Sequence, residues 1–306
     1  MFWPRHSVSF QEEKPKSQVE EMAYPKVNIM LPVYNGMPYI KTSIESIRRQ
    51  TYTNWECIIC DDGSTDETWH YLQSLSDDPR FIILKNETNN GRGYTRQRIF
   101  EVCTAPYICM LDSGDLMHPE RLQRQVAYLQ ENSELSLVST AMLCFGSQTD
   151  IITYQGTGAD ITQEFDGYHT CNFAPTMFRN TVMEADDGAP AETAHFNEKL
   201  RFCEDQHFLR NYLRLHPKYG IMKEPLYYYS VFDSISKRKM RHGYARDMIT
   251  FISDKQWLRA AICLLKVVYA SIIFPFVSTE RIVINRSAPA QPQHIREFNQ
   301  YARPLL

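Results

Sequence analysis

The sequence predicts an α/β fold in which a mostly parallel central sheet is flanked by helices. Between residues 27 and 129, short apolar segments alternate with segments whose apolar residues recur at helical spacing. Each apolar segment is followed by glycine, asparagine or acidic residues, which are typical of the turn between a strand and a crossover helix. Strands and helices that alternate at this spacing predict a three-layer domain.

The first half of the chain contains four predicted pairs of a strand and a helix. The predicted strands are 27–34, 55–60, 81–84 and 106–111. Helices are predicted from Pro38, from Ser64, through Arg96 and over 119–129. Ser64 and Glu67 have the spacing of a capping box, so the second helix is expected to begin there and to carry Trp69 and Leu72 inward.

After a fifth predicted strand, the pattern becomes irregular from residue 146 onward. Strands are predicted at 135–145 and 171–178, and a helix at 202–213. This second part is expected to cover the crevice of the sheet and to bind a second substrate. We therefore divide the chain into a polar tail at 1–24, two halves at 25–130 and 131–235, and a C-terminal extension at 236–306.

Composition and charge exclude several classes of protein. The 306 residues include 33 basic and 36 acidic ones, and the net charge of −3 argues against a general nucleic-acid-binding protein. The first residues lack the apolar core of a signal peptide, so export by that route is not expected. Cys57 and Cys60 form a C-x-x-C pair without a second ligand pair, which favours buried thiols in a reducing compartment over a zinc site.

Two carboxylates, Asp112 and Asp115, follow directly after the predicted strand at 106–111. In an open α/β sheet, ligands bind in the crevice beyond the carboxyl ends of the strands. Paired acids there suit a divalent cation that binds phosphate oxygens, because hard cations prefer oxygen ligands. The alternative is that both are solvated turn residues that cap the helix at 119–129.

Five motifs occur in order along residues 27–230, most of them where a predicted strand ends. They are Leu31-Pro32-Val33-Tyr34-Asn35, Asp61-Asp62-Gly63-Ser64-Thr65-Asp66, Asn90-Gly91 with Thr95-Arg96-Gln97, Leu111-Asp112-Ser113-Gly114-Asp115 with Pro119, and Glu204-Asp205. In these motifs the sequence resembles the family 2 glycosyltransferases, whose nucleotide-sugar-binding fold is called GT-A. The resemblance implies a nucleotide-sugar-binding half at 25–130 and an acceptor-binding half at 131–235.

The resemblance also implies a set of residues that contact the nucleotide: Pro32, Tyr34, Asp61, Asp62, Arg96 and Asp112. Asp62 matches the family's acceptor for the imide N–H of the base, with Asp61 beside it and Tyr34 lining the base. Arg96 matches an arginine near the nucleotide, where a guanidinium suits phosphate or ribose oxygens. The alternatives are helix capping for the two aspartates and an exposed helix charge for Arg96.

Asp112 and Asp115 match the ends of the family's aspartate motif, which binds Mg²⁺ or Mn²⁺ on the diphosphate. The usual motif is Asp-x-Asp-Asp, and here Gly114 stands where a carboxylate is expected. Glycine has no ligand atom. Either Gly114 lets the loop bend so that Asp115 supplies the missing oxygen, or the protein binds the cation weakly.

Asp205 matches the catalytic base of the inverting members of the family, and Glu204 is its neighbour. Such a base takes a proton from the acceptor hydroxyl as that oxygen attacks the anomeric carbon. A charged Glu204 would raise the proton affinity of the pair by repulsion. The alternative is that the two acids only stabilise a helix start. Ser230 and Phe232 depart from the family, since many relatives carry an arginine and a histidine there.

These features imply an inverting glycosyltransferase that moves a sugar from a nucleotide-diphospho-sugar, most simply a UDP-sugar, to a glycan or lipid-linked acceptor. Its product would be a surface polysaccharide or glycolipid. The alternative is a nucleotide-binding regulatory or scaffold protein that has lost turnover, which the departures at Gly114, Ser230 and Phe232 keep open. A dinucleotide-dependent oxidoreductase is disfavoured, because residues 90–93 lack a third glycine at the fingerprint spacing.

The C-terminal third adds an expectation about location. An apolar segment is preceded by a group of basic residues: Lys237, Arg238, Lys239, Arg241 and Arg246. Apolar residues from Trp257 to Tyr269 recur at helical spacing, with Arg259 and Lys266 set apart from them. Such an amphipathic helix lies in the membrane interface, so we expect a cytoplasmic protein attached peripherally to the inner face of the cell membrane. The alternative is a helix that packs on the protein's own sheet or on a second subunit.

Overall fold

The computed structural model describes residues 24–146, 149–167, 170–180, 194–200, 203–231, 237–253, 255–284 and 287–306. The predicted polar tail, apart from Tyr24, lies outside these residues, and so does Phe232. The side chains of Arg238, Lys239 and Arg246, from the predicted basic group, also lie outside the described part.

The first half of the sheet is parallel, as predicted. Its strands are β1 (Val27–Val33), β2 (Trp55–Asp61), β3 (Phe81–Lys85) and β4 (Tyr107–Met110), in the order β3-β2-β1-β4. The helices are α1 (Ile40–Arg48), α2 (Thr68–Gln73), α3 (Arg92–Phe100) and α4 (Arg121–Glu131). Every residue of β1 is buried, and Ile40, Ile44 and Ile47 form one buried stripe of α1 in the same apolar cluster. The burial of this stripe fixes α1 on the sheet.

Helix α2 begins later than the capping-box prediction. Its first residue is Thr68, and the Thr68 N–H donates to Oδ1 of Asp66 at 3.0 Å. The Ser64 hydroxyl instead donates to Asp61, because the chain still lies in the turn after β2 at that point. Leu72 is fully buried as expected, whereas Trp69 is half-buried.

The second half of the sheet is mixed. It contains β5 (Leu116–Met117), β6 (Leu137–Gly146), β7 (Thr149–Gln155), β8 (Ile161–Glu164), β9 (Met177–Arg179), β10 (Lys218–Tyr229) and β11 (Ala288–Pro289), with α5 (Glu204–Leu215). Strand β9 lies antiparallel between β4 and β6, which joins the two halves in one sheet. Strand β10 pairs with β5, β6 and β8.

The strand predicted at 171–178 is mostly wrong. Only Met177 and the two residues after it pair in the sheet, because the segment before it forms a turn in which the Thr176 N–H donates to the carbonyl oxygen of Phe173 at 2.9 Å. Pro175 has no N–H to offer to a neighbouring strand. The hairpin partner β7 and the short strand β8 have no counterpart in the prediction. The boundaries at 130 and 235 stay predictions.

A helical C-terminal extension follows, as predicted. It contains α6 (Lys237–Ser253), α7 (Trp257–Ile273), a 3₁₀ turn (Phe274–Phe276), α8 (Thr279–Ile284), α9 (Pro292–Tyr301) and a final 3₁₀ turn (Arg303–Leu305). The Phe298 ring of α9 contacts the rings of Phe145 and Tyr228, with centroids 5.1 and 5.4 Å apart, so the extension covers part of the sheet. Among the described residues, Trp257–Phe276 is the one helical segment long and apolar enough to cross a membrane, and 22% of its most apolar window is buried.

Candidate active site

The predicted site residues of the first half gather at one edge of the sheet. Strands β1, β2 and β4 are parallel neighbours, so the residues that follow them lie side by side. Pro32 is buried within β1, and Tyr34, just beyond that strand, is 48% exposed. Gly36, in the same turn, lies so close to Val33 and Ser113 that a Cβ atom there would be 2.4 and 2.9 Å from their side chains. This close approach brings the loops after β1 and β4 together.

Asp62 fixes the glycine-containing loop that precedes α3. Its carboxylate accepts hydrogen bonds from the Asn86 side chain at 2.7 Å and from the N–H groups of Asn90 and Gly91 at 2.9 and 2.8 Å. Gly91 has a φ of 93°, a conformation that favours glycine. The buried Asp61 accepts from the N–H of Ser64 at 3.2 Å and from its hydroxyl. Both aspartates therefore shape the loops around the crevice.

Arg96 connects three parts of the site. Its guanidinium, 2% exposed, donates to Asp112 Oδ1 and to Glu204 Oε1, each at 2.6 Å. Burial alone would lower the pKa of Arg96, but the charges of Asp112 and Glu204 outweigh it and raise that pKa. Arg96 therefore fastens α3, the β4 loop and the start of α5 to one another. Its Nε and the Oε2 of Glu204 are buried without a partner in the described part of the chain.

Asp112 and Asp115 have different surroundings. Asp112 is one-third exposed, and although burial works to raise its pKa, the guanidinium of Arg96 brings that pKa below its usual value. Asp115 is buried, and its two oxygens accept from the Tyr227 hydroxyl at 2.6 Å and from the Ser230 N–H at 2.8 Å. Burial, with the nearby charge of Asp112, raises the pKa of Asp115 well above its usual range. Gly114 has a φ of 97°, which allows the bend that buries Asp115.

The described residues contain no group of three or more histidine, cysteine, aspartate or glutamate side chains placed to bind a metal ion. Asp115 faces protein donors and is 3% exposed, so it offers little to a cation in the crevice. Asp112 does fit as a single ligand, because one of its oxygens contacts Arg96 and the side chain is partly open. A cation bound through one carboxylate and substrate phosphates is common for Mg²⁺.

Glu204 and Asp205, predicted as the catalytic base and its neighbour, lie in different environments. Glu204 is fully buried, and its carboxylate lies 2.6 Å from Arg96 and 3.4 Å from Arg92. These two arginines balance the negative charge of Glu204. Asp205 is partly exposed in the first turn of α5 and accepts from the N–H of Gln206 at 2.8 Å. Cys203, before them, has a φ of 58°, an uncommon conformation for a side-chain-bearing residue. The structure thus leaves Asp205 as the accessible acid.

Two connections in the site were absent from the sequence analysis. One is the contact between Arg96 and Glu204, which are 108 residues apart, and the other is the contact of Tyr227 with Asp115, 112 residues apart. Pairing at such separations leaves no local pattern. The aromatic run Tyr227-Tyr228-Tyr229 marked the strand but not which hydroxyl would be used.

The fold places charged side chains where parallel strands end, as in α/β proteins that bind ligands at this edge of the sheet. Comparison with known proteins gives the family. The model of the glycosyl transferase family 2 matches residues 28–181, just over half of the chain, so the protein belongs to this family. The predicted family, GT-A fold and enzyme class are thereby confirmed.

Curated relatives match the same region. The chain is 38% identical over 125 residues to the putative glycosyltransferase EpsE of Bacillus subtilis, which covers 40% of this chain and 44% of EpsE. It is 35% identical over 107 residues to WfgD of Escherichia coli, named as a UDP-Glc:α-D-GlcNAc-diphosphoundecaprenol β-1,3-glucosyltransferase, which covers 35% of this chain and 42% of WfgD. The chain therefore matches less than half the length of each of these relatives.

Solved structures share the fold over most of the chain. The TarS 1–349 structure of S. aureus in complex with UDP aligns with a TM-score of 0.58 and 19% identity, covering 90% of this chain and 80% of that one. The mannosyltransferase PcManGT of Pyrobaculum calidifontis, in complex with GDP-Man and Mn²⁺, aligns with a TM-score of 0.51 and 14% identity, covering 92% and 85%. At these identities the likeness concerns the fold alone.

Proposed function

We propose that the protein is an inverting glycosyltransferase that moves a sugar from a UDP-sugar to a hydroxyl group of a glycan or lipid-linked acceptor in surface polysaccharide or glycolipid synthesis. The observation that carries the proposal is the placement of Asp205. Arg96 pairs with Asp112, just after β4, and with Glu204 in the first turn of α5, and the partly exposed Asp205 is the next residue of α5. A UDP-linked donor and a lipid-linked acceptor are supported by the similarity to WfgD, named as a UDP-Glc:α-D-GlcNAc-diphosphoundecaprenol glucosyltransferase, and to TarS, solved in complex with UDP.

In the proposed reaction, the acceptor oxygen forms a bond to the anomeric carbon while the bond from that carbon to the diphosphate oxygen breaks. Asp205 takes the hydroxyl proton as the oxygen attacks, and UDP leaves with the electron pair of the broken bond. The attack comes from the face opposite the diphosphate, so the anomeric configuration inverts. Glu204 serves as a positioning residue, because its ion pair with Arg96 fixes the first turn of α5.

The nucleotide lies, in this proposal, over the ends of β1, β2 and β4. Tyr34 lines the base, and Pro32, Asp61 and Asp62 shape the walls of its pocket. Asp62 can accept the imide N–H through a remaining lone pair while it holds the loop at Asn90 and Gly91. The guanidinium of Arg96 already pairs with the carboxylates of Asp112 and Glu204. In this proposal Arg96 therefore positions Asp112 near the diphosphate and does not bind the diphosphate itself.

Asp112 would hold Mg²⁺ or Mn²⁺ together with oxygens of the diphosphate. Asp115 would not contact the cation but would fix the loop that carries Asp112, through its hydrogen bonds to Tyr227 and Ser230. When bound, the cation neutralises charge on the departing nucleoside diphosphate. Support comes from the partly open carboxylate of Asp112 and from the Mn²⁺ in the complex of the similarly folded PcManGT.

The proposed place of action is the cytoplasmic face of the cell membrane, where a lipid-linked acceptor would be found. The names of WfgD and of the B. subtilis teichuronic acid biosynthesis glycosyltransferase TuaG, which is 34% identical over 110 residues, are consistent with synthesis of surface polymers. Association of two copies remains a prediction.

A panel of nucleotide-sugars, each tested for thermal stabilisation with and without Mn²⁺, identifies the donor, because a bound ligand raises stability by mass action. Asp205→Asn should then reduce kcat by roughly 10²–10⁴ with UDP affinity nearly unchanged, since an amide cannot take the proton. Asp77→Asn, at an exposed turn, is the matched control. If the variant keeps a kcat within about tenfold of that of the unmodified protein, Asp205 is not the base. If the unmodified protein binds UDP but turns over none of the nucleotide-sugars, the scaffold alternative is favoured.

A further inference from the structure

Helix α7 exposes large apolar side chains along its whole length. Those that follow one another at spacings of three and four residues are Leu258, Ile262, Leu265, Tyr269, Ile272 and, in the following turn, Phe276. Their exposed fractions run from 44% for Ile262 to 85% for Phe276. A soluble monomer rarely leaves a continuous apolar surface of this kind uncovered, which marks it as an interaction site.

The opposite face of α7 is the one that packs on the protein. The buried residues of this face are the small side chains of Ala260, Cys263 and Ala270, followed by Phe274 in the 3₁₀ turn. They belong to two apolar clusters that also contain residues of α6 and α8. With 3.6 residues per turn, the exposed apolar residues, including Trp257, Leu264 and Val268, cover an arc of roughly 160°. A two-helix seam needs only the narrower stripe made by two positions of a heptad. The breadth of the arc favours a bilayer over a second copy of this helix.

The charges of the hairpin formed by α6 and α7 suit an anionic surface. The two helices contain seven Lys or Arg residues and a single acid, Asp247, which lies 3.6 Å from Arg210. Among the described side chains, Arg241 and Lys266 are exposed. Lys266 borders the apolar arc, where a long basic side chain can reach the headgroups while its stem lies against apolar surface.

The charges of α7 also fit a helix that lies in the membrane interface better than a helix that spans the membrane. Lys266 is the tenth of the 20 residues from Trp257 to Phe276, so a spanning helix would place its ammonium group near the bilayer centre, where a charge is costly. A helix that lies along the surface leaves Lys266 among the headgroups. It also keeps the packing of α7 on α6 that the structure shows.

The hairpin is fastened to the helix that carries Asp205. Arg210 of α5 pairs with Asp247 of α6, and its guanidinium carbon lies 5.2 Å from the centroid of the Phe251 ring. In addition, Arg259 of α7 lies 3.8 Å from Asp166. Arg210 is five residues after Asp205, about 7.5 Å along the helix axis. The apolar surface and the candidate base are thus parts of one packed unit.

We infer that the exposed face of α7 lies in the interfacial layer of an anionic phospholipid bilayer and that this docking holds Asp205 beside the surface, so that the acceptor is a lipid-linked glycan taken from the bilayer. The acceptor part rests on the proposed function, whereas the docking part does not.

Flotation of the full chain with vesicles tests the docking part. The protein should float with vesicles of phosphatidylcholine and phosphatidylglycerol at low salt, and much less with phosphatidylcholine alone. The triple variant Leu258→Asn, Leu265→Asn, Ile272→Asn should reduce the bound fraction by at least about tenfold, because membrane partition scales with the apolar area that is buried. The double variant Val102→Asn, Leu306→Asn changes exposed apolar residues outside the hairpin and should float normally.

A second measurement needs no substitution that could disturb folding. Brominated lipids in the vesicles should quench the fluorescence of the exposed Trp257, and the quenching should disappear in Trp257→Phe. Failure to float at low salt, equal flotation of the triple variant, or no quenching of Trp257 would overturn the inference. So would a dimer that the triple variant converts to a monomer, or attachment that resists alkaline carbonate, since these indicate a second copy and a spanning helix.

The acceptor part is tested with undecaprenyl-diphospho-GlcNAc in anionic vesicles against free GlcNAc. The triple variant should lose transfer to the first by about the same factor as its binding, while UDP binding measured by calorimetry stays unchanged. If UDP does not bind to the unmodified protein, the proposed function fails and the docking result still stands. If the variant transfers to both acceptors like the unmodified chain, membrane delivery of the acceptor is wrong.

Discussion

The Tyr227 hydroxyl lies between the two acids of the aspartate motif: it donates to Asp115 Oδ2 at 2.6 Å and accepts from the Asp112 N–H at 3.2 Å. The Tyr227 ring is fully buried, and the guanidinium carbon of Arg121 lies 4.9 Å from its centroid. Strand β10 thereby sets the shape of a loop that starts at the end of β4. The shape of the loop that carries Asp112 therefore depends on a residue of the second half of the chain.

Tyr227→Phe is expected to destabilise the protein by about 1–3 kcal/mol, because Asp115 then loses a donor in a buried position. UDP affinity should fall as well, since the loop at Asp112 loses its support. Urea unfolding and calorimetry measure the two effects. Tyr228→Phe is the matched control, because the buried Tyr228 hydroxyl has no hydrogen-bond partner among the described residues. Equal stability of the two variants would contradict the role given to Tyr227.

The proposed cation site can be tested at each of the two acids of the motif. Asp112→Asn should remove the part of the UDP affinity that depends on Mn²⁺, because it removes the ligand that faces the crevice. Asp115→Asn should weaken the same part by about 10–100-fold, the range found when a supporting group outside the metal ligands is changed. Calorimetry with UDP, in Mn²⁺ and in chelator, separates the contributions. UDP that binds the unmodified protein equally well in chelator would show that the site works without a cation.

Arg96→Met should cost about 3–5 kcal/mol, because it leaves the buried Glu204 without its main partner. The double variant Arg96→Met, Glu204→Gln should recover part of this loss, since the uncompensated charge is then removed. Chemical denaturation of the single and double variants gives the coupling energy. Arg49→Met, which breaks an exposed pair with Glu45, should change stability by less than about 1 kcal/mol. Additive effects at Arg96 and Glu204 would show that the ion pair contributes little.

His118 predicts a pH dependence of stability. Its side chain is buried, its Nδ1 accepts from the Glu120 N–H at 3.1 Å, and burial, with the charge of Arg124, lowers its pKa from 6.5. The unfolded chain therefore binds a proton more readily than the folded one, and stability should fall as the pH drops below 6.5 towards the lowered pKa.

Thermal unfolding between pH 7 and pH 5 measures the effect, with about 6.5 as the upper edge of the window. His118→Asn keeps an acceptor for Glu120 and does not titrate, so its unfolding temperature should depend less on pH. His70→Asn, at an exposed position of α2, should leave the pH dependence unchanged. If His118→Asn shows the same slope as the unmodified protein, another group titrates in this window.

The sequence predicted the first half of the fold well because its signals are local. Each parallel strand of the first half is a short, largely apolar segment followed by a turn, and α1 shows its apolar stripe at Ile40, Ile44 and Ile47. The predicted start of α2 was wrong because the Ser64 side chain can cap a helix or form hydrogen bonds within the preceding turn. Its hydrogen bond to Asp61, which depends on the position of Asp61, decides for the turn. Strand β9 was placed too early because Phe173 and Ala174 are apolar without being paired in a strand.

The candidate site was predicted as a set of residues but not as an arrangement. The matched motifs gave Asp112, Asp115, Glu204 and Asp205, yet their roles diverge through partners distant in the chain. Glu204 is buried against Arg96, and Asp115 against Tyr227, while Asp112 and Asp205 stay partly open. Whether a carboxylate faces solvent or a buried arginine depends on tertiary packing, and a short acidic motif carries no record of it.

The ion pair of Arg96 and Glu204 also limits how this enzyme can be recombined. A chimaera that takes residues 25–130 from this protein and the remainder from another member of the family inherits a buried guanidinium that requires an acid at the start of the helix equivalent to α5. A relative with a neutral residue there would leave the guanidinium of Arg96 paired with Asp112 alone, and the first turn of the helix, which carries the candidate base, would lose its ion pair to α3. Exchange of the chain beyond residue 130 between relatives is therefore expected to succeed best among those that share this acid.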